Sequence, residues 1–479
     1  MSCIRFTLAE AARSCGGTLV GAEGREGETF RGLSTDTRSL ERGQAFVALV
    51  GDRFDGHDYL PRAVELGAAL LVVEKEVAPP SHAPVPLLRV ANTRLALGSL
   101  ARAWRDAVGR TVVAITGSMG KTTTKELTRQ VVATLGATQA TAGNLNNDIG
   151  LPLTLCGLEQ ETRYLVVELG MNAPGEIAYL TGLCRPDVAV VTNVAPVHVE
   201  GLGSLEAIGR EKGAIFGGLT ASEGARPEWA ILPAGEGLLT ASVASVPRAR
   251  QLRFGTATEA DVRLVSTESA GVAGTRVALE VRGERLEFLL PLAGRHNALN
   301  AAAAAAVGVA LGAPTEAIGR ALAEAPRLHH RSVLARIGPW QVLDDCYNAN
   351  PEAMKAALGT LAELAQEAPA FAVLGEMREL GDEAEAFHHE VGRHAAGCGL
   401  AGLVTVGPRA HALAEGARQA GMPAARIVEA ADAEEAARVV TERLSPNGWL
   451  LVKASRGAQL ERVIDALRRT VGEDVVAPS

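Results

Sequence analysis

The chain reads as an α/β protein of three domains, and three observations lead to that reading. Its 479 residues exceed what one hydrophobic core organises, and at about 100–200 residues per domain three is the natural count. Apolar, β-branched runs at 111–115, 163–170, 186–194 and 371–375 alternate with helical stretches, the rhythm of strand–helix–strand units. Residues 228–290 break that rhythm with shorter strands of more antiparallel character. The expected layout is an N-terminal α/β domain over 1–107, a central domain over 108–313 and a C-terminal Rossmann-like domain over 314–479. The central domain should combine a parallel sheet with a smaller antiparallel one.

In the first domain, Phe6-Thr-Leu-Ala-Glu-Ala-Ala reads as a short capped helix. Gln44-Ala-Phe-Val-Ala-Leu-Val and Ala68-Ala-Leu-Leu-Val-Val-Glu read as strands around a helical 59–66 segment. Two polar segments, Gly32-Leu-Ser-Thr-Asp-Thr-Arg38 and Gly51-Asp-Arg-Phe-Asp-Gly-His-Asp58, read from their chemistry alone as solvated loops. A Pro-rich stretch at 77–86 has the composition of a linker, and a helix over 92–108 leads into the second domain.

That domain opens on Thr111-Val-Val-Ala-Ile-Thr-Gly-Ser-Met-Gly-Lys-Thr-Thr-Thr-Lys-Glu126, a buried strand, a glycine-bearing turn and a helix start. Such a junction is an anion site, because N–H groups of the first helical turn and the positive end of its dipole face one point. Glycines let the backbone approach a phosphate, Lys121 reaches β/γ oxygens and Thr122 can ligate Mg²⁺. The spacing Gly117-x-x-Gly120-Lys121-Thr122 is shorter than the usual phosphate loop, and a nucleoside triphosphate is the expected ligand. Thr141-Ala-Gly-Asn-Leu-Asn-Asn-Asp-Ile-Gly-Leu-Pro152 then reads as a ligand-facing loop, though Asn-rich turns also occur without function. Glu168 ends the next buried strand, where α/β folds hold Mg²⁺ beside a phosphate loop. His198 and Glu200 follow a further strand, and a helix from 205 carries Glu211 and Lys212. Gly294-Arg-His-Asn-Ala-Leu-Asn300 starts a small-residue helix on which Asn297 and Asn300 share a face.

The third domain alternates helix and strand again, through Gln341-Val-Leu-Asp-Asp, Phe371-Ala-Val-Leu-Gly, Gly402-Leu-Val-Thr-Val-Gly and Trp449-Leu-Leu-Val-Lys. No Gly-x-Gly-x-x-Gly follows its first strand, so a dinucleotide site is not supported.

Composition narrows the class. With 47% hydrophobic and 21% charged residues the chain is globular in type. A net charge of −8 argues against a nucleic-acid surface, which needs a basic face, but leaves nucleotides open because they need only one local cluster. The six cysteines, Cys3, Cys15, Cys156, Cys184, Cys346 and Cys398, are scattered without a Cys-x-x-Cys pair; this fits free thiols better than disulfides or a zinc site. No charged-then-apolar leader opens the chain, and its most apolar run, 301–311, is mostly alanine and far short of a membrane span. The expectation is a soluble cytoplasmic monomer with no nucleic-acid partner and no membrane insertion.

Taken in order, the motifs resemble those of the Mur ligase family. They are Thr116-Gly-Ser-Met-Gly-Lys-Thr-Thr123, Asn144-Leu-Asn-Asn147, Glu168-Leu-Gly-Met-Asn172, His198-x-Glu-Gly-x-Gly-Ser204, Lys212, Gly294-Arg-His-Asn-Ala-x-Asn300, Asp345-x-Tyr-Asn-Ala-Asn-Pro351, Leu374-Gly-Glu-Met-x-Glu-Leu-Gly381 and Lys453-Ala-Ser-Arg456. Each is weak alone, but together they run in sequence across all three domains. The resemblance implies an ATP- and Mg²⁺-dependent amide ligase acting on a UDP-sugar-peptide in peptidoglycan precursor synthesis. The missing Asp-Asn-Pro-Arg motif, with Asp345-Cys-Tyr-Asn-Ala-Asn-Pro351 in its place, points within the family to D-alanyl-D-alanine as the amine and UDP-N-acetylmuramoyl-tripeptide as the acceptor. Another ligase of the family or a folylpolyglutamate-type synthase is the alternative.

Site residues follow by resemblance. Thr116, Gly117, Ser118, Met119, Gly120, Lys121, Thr122 and Thr123 are implied at the ATP phosphates, and Asn297, Arg331 and Asp345 around adenine and ribose. Thr122, Glu168 and His198 match Mg²⁺ positions, with Lys212 a further ligand if carbamylated; Lys121, Glu168, His198 and Lys212 form the implied catalytic set. Ser34, Asp36 and Arg38 resemble the part receiving the uridine diphosphate end, and Thr141, Asn144 and Asn147 the loop meeting the sugar-peptide. Tyr347, Asn348, Asn350, Lys453 and Arg456 are implied on the dipeptide side. Arg331 sits in a loosely matching His329-His330-Arg331-Ser332, and Ala454 stands where the family pattern has glycine.

Overall fold

The computed structural model describes residues 6–77, 85–196, 199–219, 228–326 and 328–472. By compactness the chain divides into two units, one of residues 1–116, 135–190 and 214–230, the other of 117–134, 191–213 and 231–479. The division runs through the central stretch instead of at its ends. One cause is that the phosphate-loop helix Lys121–Ala133 packs on the alanine-rich helix Arg295–Ala310. Thirteen of that helix's residues are buried, and Gly308 sits so close to Val131 that a methyl group there would lie 2.7 Å from the valine side chain. Small residues therefore set the approach of the two helices.

In the first unit, β1 (Phe6–Thr7) precedes the helix Leu8–Cys15, whose start is fixed by a capping box between Thr7 and Glu10. The strands β2 (Thr18–Val20), β3 (Thr29–Phe30), β4 (Leu33–Ser34), β5 (Ala45–Val47), β6 (Val50–Gly51), β7 (Phe54–Asp55), β8 (Leu70–Val73) and β9 (Leu87–Arg89) follow. Five of them form a sheet in the order β2-β9-β8-β5-β4, parallel except for the β2–β9 pair. The 32–38 segment, expected as a loop throughout, begins as β4, because Leu33 and Ser34 pair with Ala45 and Phe46. The helix Thr93–Val108 starts at Asn92, whose side chain accepts from the Leu95 N–H. Part of the Pro-rich stretch lies outside the described residues.

The largest sheet has nine strands: β10 (Thr111–Thr116), β11 (Thr138–Ala140), β12 (Tyr164–Glu168), β13 (Val188–Val191), β14 (Trp229–Pro233), β15 (Gln251–Gly255), β16 (Val262–Ser269), β17 (Thr275–Val281) and β18 (Glu284–Leu290). Their order is β11-β12-β10-β13-β14-β15-β16-β17-β18. The antiparallel strands β16 to β18 thus continue the same sheet rather than forming a smaller one, and β15, read as antiparallel in character, pairs parallel with β16. Backbone edges decide this. A strand's free N–H and C=O row pairs with the next strand in space whatever its direction.

The second unit ends in a doubly wound sheet of β19 (Val333–Ile337), β20 (Trp340–Asp344), β21 (Ala370–Gly375), β22 (Gly402–Val406), β23 (Ile427–Ala430) and β24 (Trp449–Lys453), in the order β19-β20-β24-β21-β22-β23. One core buries Leu358, Leu361, Val391 and Leu413 from helices on one face, and the other buries Ala436, Val440, Val463 and Leu467 on the opposite face. The carboxyl ends of β20, β24 and β21 meet where the order reverses, the place such sheets reserve for ligands.

Candidate active site

The phosphate loop is built to hold its backbone close to something small. Gly117 has φ +151°, and a Cβ there would fall 1.8 Å from Thr192 Oγ1; Gly120 has φ +75°, with Asn300 Oδ1 2.3 Å from a notional Cβ. Residues just past β13 brace the loop. Asn193 O accepts from the Ser118 N–H at 3.1 Å, Asn193 Oδ1 accepts from the Met119 N–H at 2.9 Å, and the Thr192 hydroxyl donates to Met119 O at 2.6 Å. The Ser118 hydroxyl donates to Ala195 O and accepts from the Ala195 N–H at 2.9 and 2.8 Å. Lys121 Nζ donates to Gly117 O at 2.8 Å, so the ammonium stands over the loop. Among the described residues no side chain caps the Lys121–Ala133 helix at Gly120 and no acidic residue occupies its first turn, which leaves an electropositive helix end.

Gly117→Ala is expected to lower the melting temperature through about 1–3 kcal/mol of strain and to end ATP-dependent phosphate release. Thermal unfolding beside a phosphate assay checks it, and a wild-type profile in both would contradict the geometry.

Beneath the loop, Thr124 Oγ1 donates to Asn300 Oδ1 at 3.3 Å, Asn300 Nδ2 to Asn297 Oδ1 at 3.1 Å, and Asn297 Nδ2 to Ala293 O at 2.8 Å. Asn297 and Asn300 are both buried, so the amide face foreseen on this helix supports the loop from below. Lys212 lies in the helix Leu205–Gly213 and is 1% exposed. Gly209 and Gly213 let that helix press against Leu238 and Ser242, which drives the lysine inside. Burial, then the charge of Lys121, push the Lys212 amine well below the usual lysine range, with Glu211 opposing.

In the first unit, β12 pairs with β10 so that Glu168 lies opposite Ile115. The Glu168 side chain is buried, its backbone N–H donates to Thr141 Oγ1 at 3.1 Å, and one carboxylate oxygen accepts from Asn146 Nδ2 at 2.8 Å. A buried carboxylate at a parallel strand's carboxyl end fits a hard divalent cation. Asn147 Oδ1 accepts from the Gly150 N–H at 2.9 Å, at the start of the helix Gly150–Cys156, while Asn144 is exposed. Asn146, not Asn147, therefore reaches the acid. His198 lies outside the described residues.

Ser34, Asp36 and Arg38 form one turn. The Ser34 hydroxyl donates to Asp36 O at 2.9 Å, and Arg38 donates to both Asp36 carboxylate oxygens at 3.0 and 2.6 Å. That guanidinium holds the Asp36 carboxyl below its ordinary value.

At the switch point of the last sheet, Lys453 Nζ donates to Asp345 Oδ2 at 2.5 Å and to Asn348 O at 2.9 Å. Asp345 Oδ1 accepts from the Ser332 N–H at 2.9 Å, and the Arg331 guanidinium lies 4.0 Å from the Tyr347 ring centroid. Arg331, Asp345, Tyr347 and Lys453 thus form one cluster, with Arg456 5.9 Å from the same ring. Asn350 Oδ1 caps the helix Pro351–Ala365 by accepting from the Ala353 N–H at 2.8 Å, and Asn348 is exposed. Ala454 is fully buried, and its methyl lies 2.8 Å from where a Cβ on Gly375 would stand, so the alanine packs against that glycine.

Comparison with known proteins decides the family. The Mur ligase catalytic, middle and glutamate ligase domains match residues 29–105, 115–308 and 330–456. A curated relative from Escherichia coli (strain K12), named UDP-N-acetylmuramoyl-tripeptide--D-alanyl-D-alanine ligase, is 38% identical over 475 residues, covering 97% of this chain and 99% of the relative. The chain belongs to the Mur ligase family. Among solved Mur ligases, MurF from Acinetobacter baumannii superposes with a TM-score of 0.87 at 31% identity, over 98% of this chain and 100% of that one. MurF from Thermotoga maritima in complex with ADP gives a TM-score of 0.80 at 27% identity, over 92% and 98% of the two chains.

As a Mur ligase, the protein is an ATP-dependent amide ligase. Thr192, Asn193 and Asn146 escaped the reading of the sequence. Their signal was there, as polar residues directly after apolar strands or within an Asn-rich loop, but nothing local says which of them turn inward.

Proposed function

We infer that this Mur ligase joins D-alanyl-D-alanine to the terminal carboxylate of UDP-N-acetylmuramoyl-tripeptide, with ATP converted to ADP and phosphate. The observation that carries the reading is a phosphate cradle braced by Thr192 and Asn193, in a chain matched over 97% of its length by a relative named for that reaction.

The geometry supports a two-step route. The acceptor carboxylate attacks the γ-phosphorus of ATP as ADP departs, giving an acyl phosphate. The dipeptide amine attacks the acyl carbon, the collapsing tetrahedral adduct expels phosphate, and the nitrogen loses its proton to solvent. In both steps charge gathers on phosphoryl and acyl oxygens, where Lys121 and the helix start supply positive potential. Gly117 and Gly120 let backbone N–H groups reach the phosphates, with Thr116, Ser118, Met119, Thr122 and Thr123 shaping the loop. Mg²⁺, when bound, neutralises phosphate charge. Glu168 and Thr122 would hold it, joined by His198 and by Lys212 as a carbamate.

Asn297, Arg331 and Asp345 serve the adenosine end, where Arg331 offers a flat cation against Tyr347. Tyr347, Asn348, Asn350, Lys453 and Arg456 serve the dipeptide side. Ser34, Asp36 and Arg38 receive the uridine diphosphate, Arg38 with a largely exposed guanidinium; Thr141, Asn144 and Asn147 border the sugar-peptide. We assign three working domains at 1–107, 108–313 and 314–479, and a monomer acting in the cytoplasm. No helix among the described residues is long and apolar enough to cross a membrane.

The test is mass spectrometry of products formed with UDP-N-acetylmuramoyl-tripeptide and D-alanyl-D-alanine, against single amino acids and against folate with glutamate. A pentapeptide product from the first pair alone is expected. Product only from a single amino acid or from folate would assign a different ligase.

Asn146→Ala should raise the Mg²⁺ concentration giving half-maximal activity by about 10–100-fold, because the partner that orients the Glu168 carboxylate is gone. A magnesium titration of initial rates measures this, and an unchanged midpoint would remove Asn146 from the site.

A further inference from the structure

Beside the loop that carries Arg331, three chemically different donors converge. His330 Nδ1 lies 2.8 Å from Asp344 Oδ2, and Cys346 Sγ lies 3.0 Å from Asp344 Oδ1. All the donor atoms of the trio fall within 4.8 Å of one another. Cys346 is fully buried, and the Asp344 and His330 side chains are 12% and 26% exposed. The trio is therefore enclosed but not sealed.

A further carboxylate lies outside the trio. Glu461 spends one carboxylate oxygen on Arg456 at 2.9 Å, while its Oε2 is buried with no hydrogen-bond partner among the described residues. The same carboxylate acts electrostatically on both His330 and Cys346. A buried carboxylate oxygen without a hydrogen-bond partner is rare in a protein interior.

The donor types say which cation. Sulfur and imidazole nitrogen favour a borderline-soft ion over Mg²⁺, which prefers oxygen. Bonds of about 2.3 Å to sulfur and about 2.0–2.1 Å to nitrogen and oxygen set tetrahedral donors roughly 3.3–3.6 Å apart. The His330–Asp344 and Cys346–Asp344 spacings of 2.8 and 3.0 Å lie about 0.5 Å inside that range. We propose that His330, Asp344 and Cys346 bind one divalent transition-metal ion of the zinc class, with a water completing the fourth position.

Binding releases the Cys346 thiol proton to solvent and takes the His330 Nδ1 lone pair, so affinity rises with pH. The ion would tie the 330–332 loop to the end of β20. His330 O already accepts from the Tyr347 N–H at 3.0 Å, and both His330 and Ser332 hold positive φ, so the loop has one tight shape to preserve. Its role would be to hold Arg331 over Tyr347 rather than to touch the reacting atoms.

The test uses the full chain, stripped with a chelator, kept in excess Mg²⁺ and titrated with Co²⁺ while the thiolate-to-cobalt absorption band is followed. One equivalent is expected to develop the band and one equivalent of Zn²⁺ to erase it. Cys346→Ser should abolish the band. His330→Gly, which suits the backbone at φ +57° and so keeps the fold, should weaken binding by at least about 100-fold, more than losing an outer-shell partner costs. No band in the wild type, a band that survives Cys346→Ser, or an unchanged midpoint in His330→Gly would overturn the proposal; the second result would mean adventitious binding at another cysteine.

Discussion

Lys121→Ala is expected to reduce ATP-dependent phosphate release by at least about 10³-fold while leaving the circular dichroism spectrum and melting temperature near those of the wild type. The lysine is half-buried, and its ammonium leans on the loop carbonyl of Gly117. Removing it takes no core packing away. What is lost is the mobile cation that can follow charge from the γ-phosphate to the departing bridge oxygen. Lys121→Arg should recover little, since a planar fork does not fit a cradle shaped for a point charge. Stopped assays of phosphate with both substrates present, paired with thermal unfolding, give the answer. Full turnover in Lys121→Ala would overturn the assignment of the cradle.

The second large effect concerns Lys212. Its amine is buried beside Lys121, and both facts favour the uncharged form. A neutral amine adds carbon dioxide, forming an N–C bond and releasing one proton, and the product is an anion in place of a cation. Beside a phosphate cradle the cation would repel Mg²⁺ and the carbamate would attract it. Lys212→Ala should therefore lower kcat by about 10²–10³-fold, and short carboxylates such as formate or acetate should restore part of the rate.

The sign with pH follows. The uncharged amine predominates above its depressed pKa, so carbamate content rises with pH and falls as acid returns the ammonium. The folding linkage has the same sign. The unfolded chain binds more protons here than the folded one, so this lysine's penalty on stability fades as pH rises toward the ordinary lysine value. Carbon-13 NMR with labelled bicarbonate measures the carbamate directly. No carbamate resonance, with no rescue of Lys212→Ala by carboxylates, would leave Lys212 as a buried lysine without this chemistry.

How far these sites were legible differs residue by residue. Lys121 and its glycines were readable because the phosphate loop is local: strand, turn and helix start lie within sixteen consecutive residues, and each step has its own residue types. Glu168 was readable as a charge ending an apolar run. Asn146 and Asn147 were not separable, because neighbouring amides in a loop point in different directions and only the backbone trace turns one to the acid and the other to the Gly150 N–H. The same limit hid the bracing by Thr192 and Asn193, which comes from more than seventy residues away.

By itself, then, the amino-acid sequence determined the α/β class, the phosphate cradle, the order of the motifs and the family, because each rests on short-range periodicity or on residue types at fixed spacing. Tertiary structure alone decided that the antiparallel strands extend the main sheet, that Asn297 and Asn300 lie under the cradle, that Lys212 is inside, and that His330, Asp344 and Cys346 share a point. Those are matters of which edges and faces meet in space. Pairing between distant segments depends on packing and loop closure across the whole chain, and no local pattern encodes it.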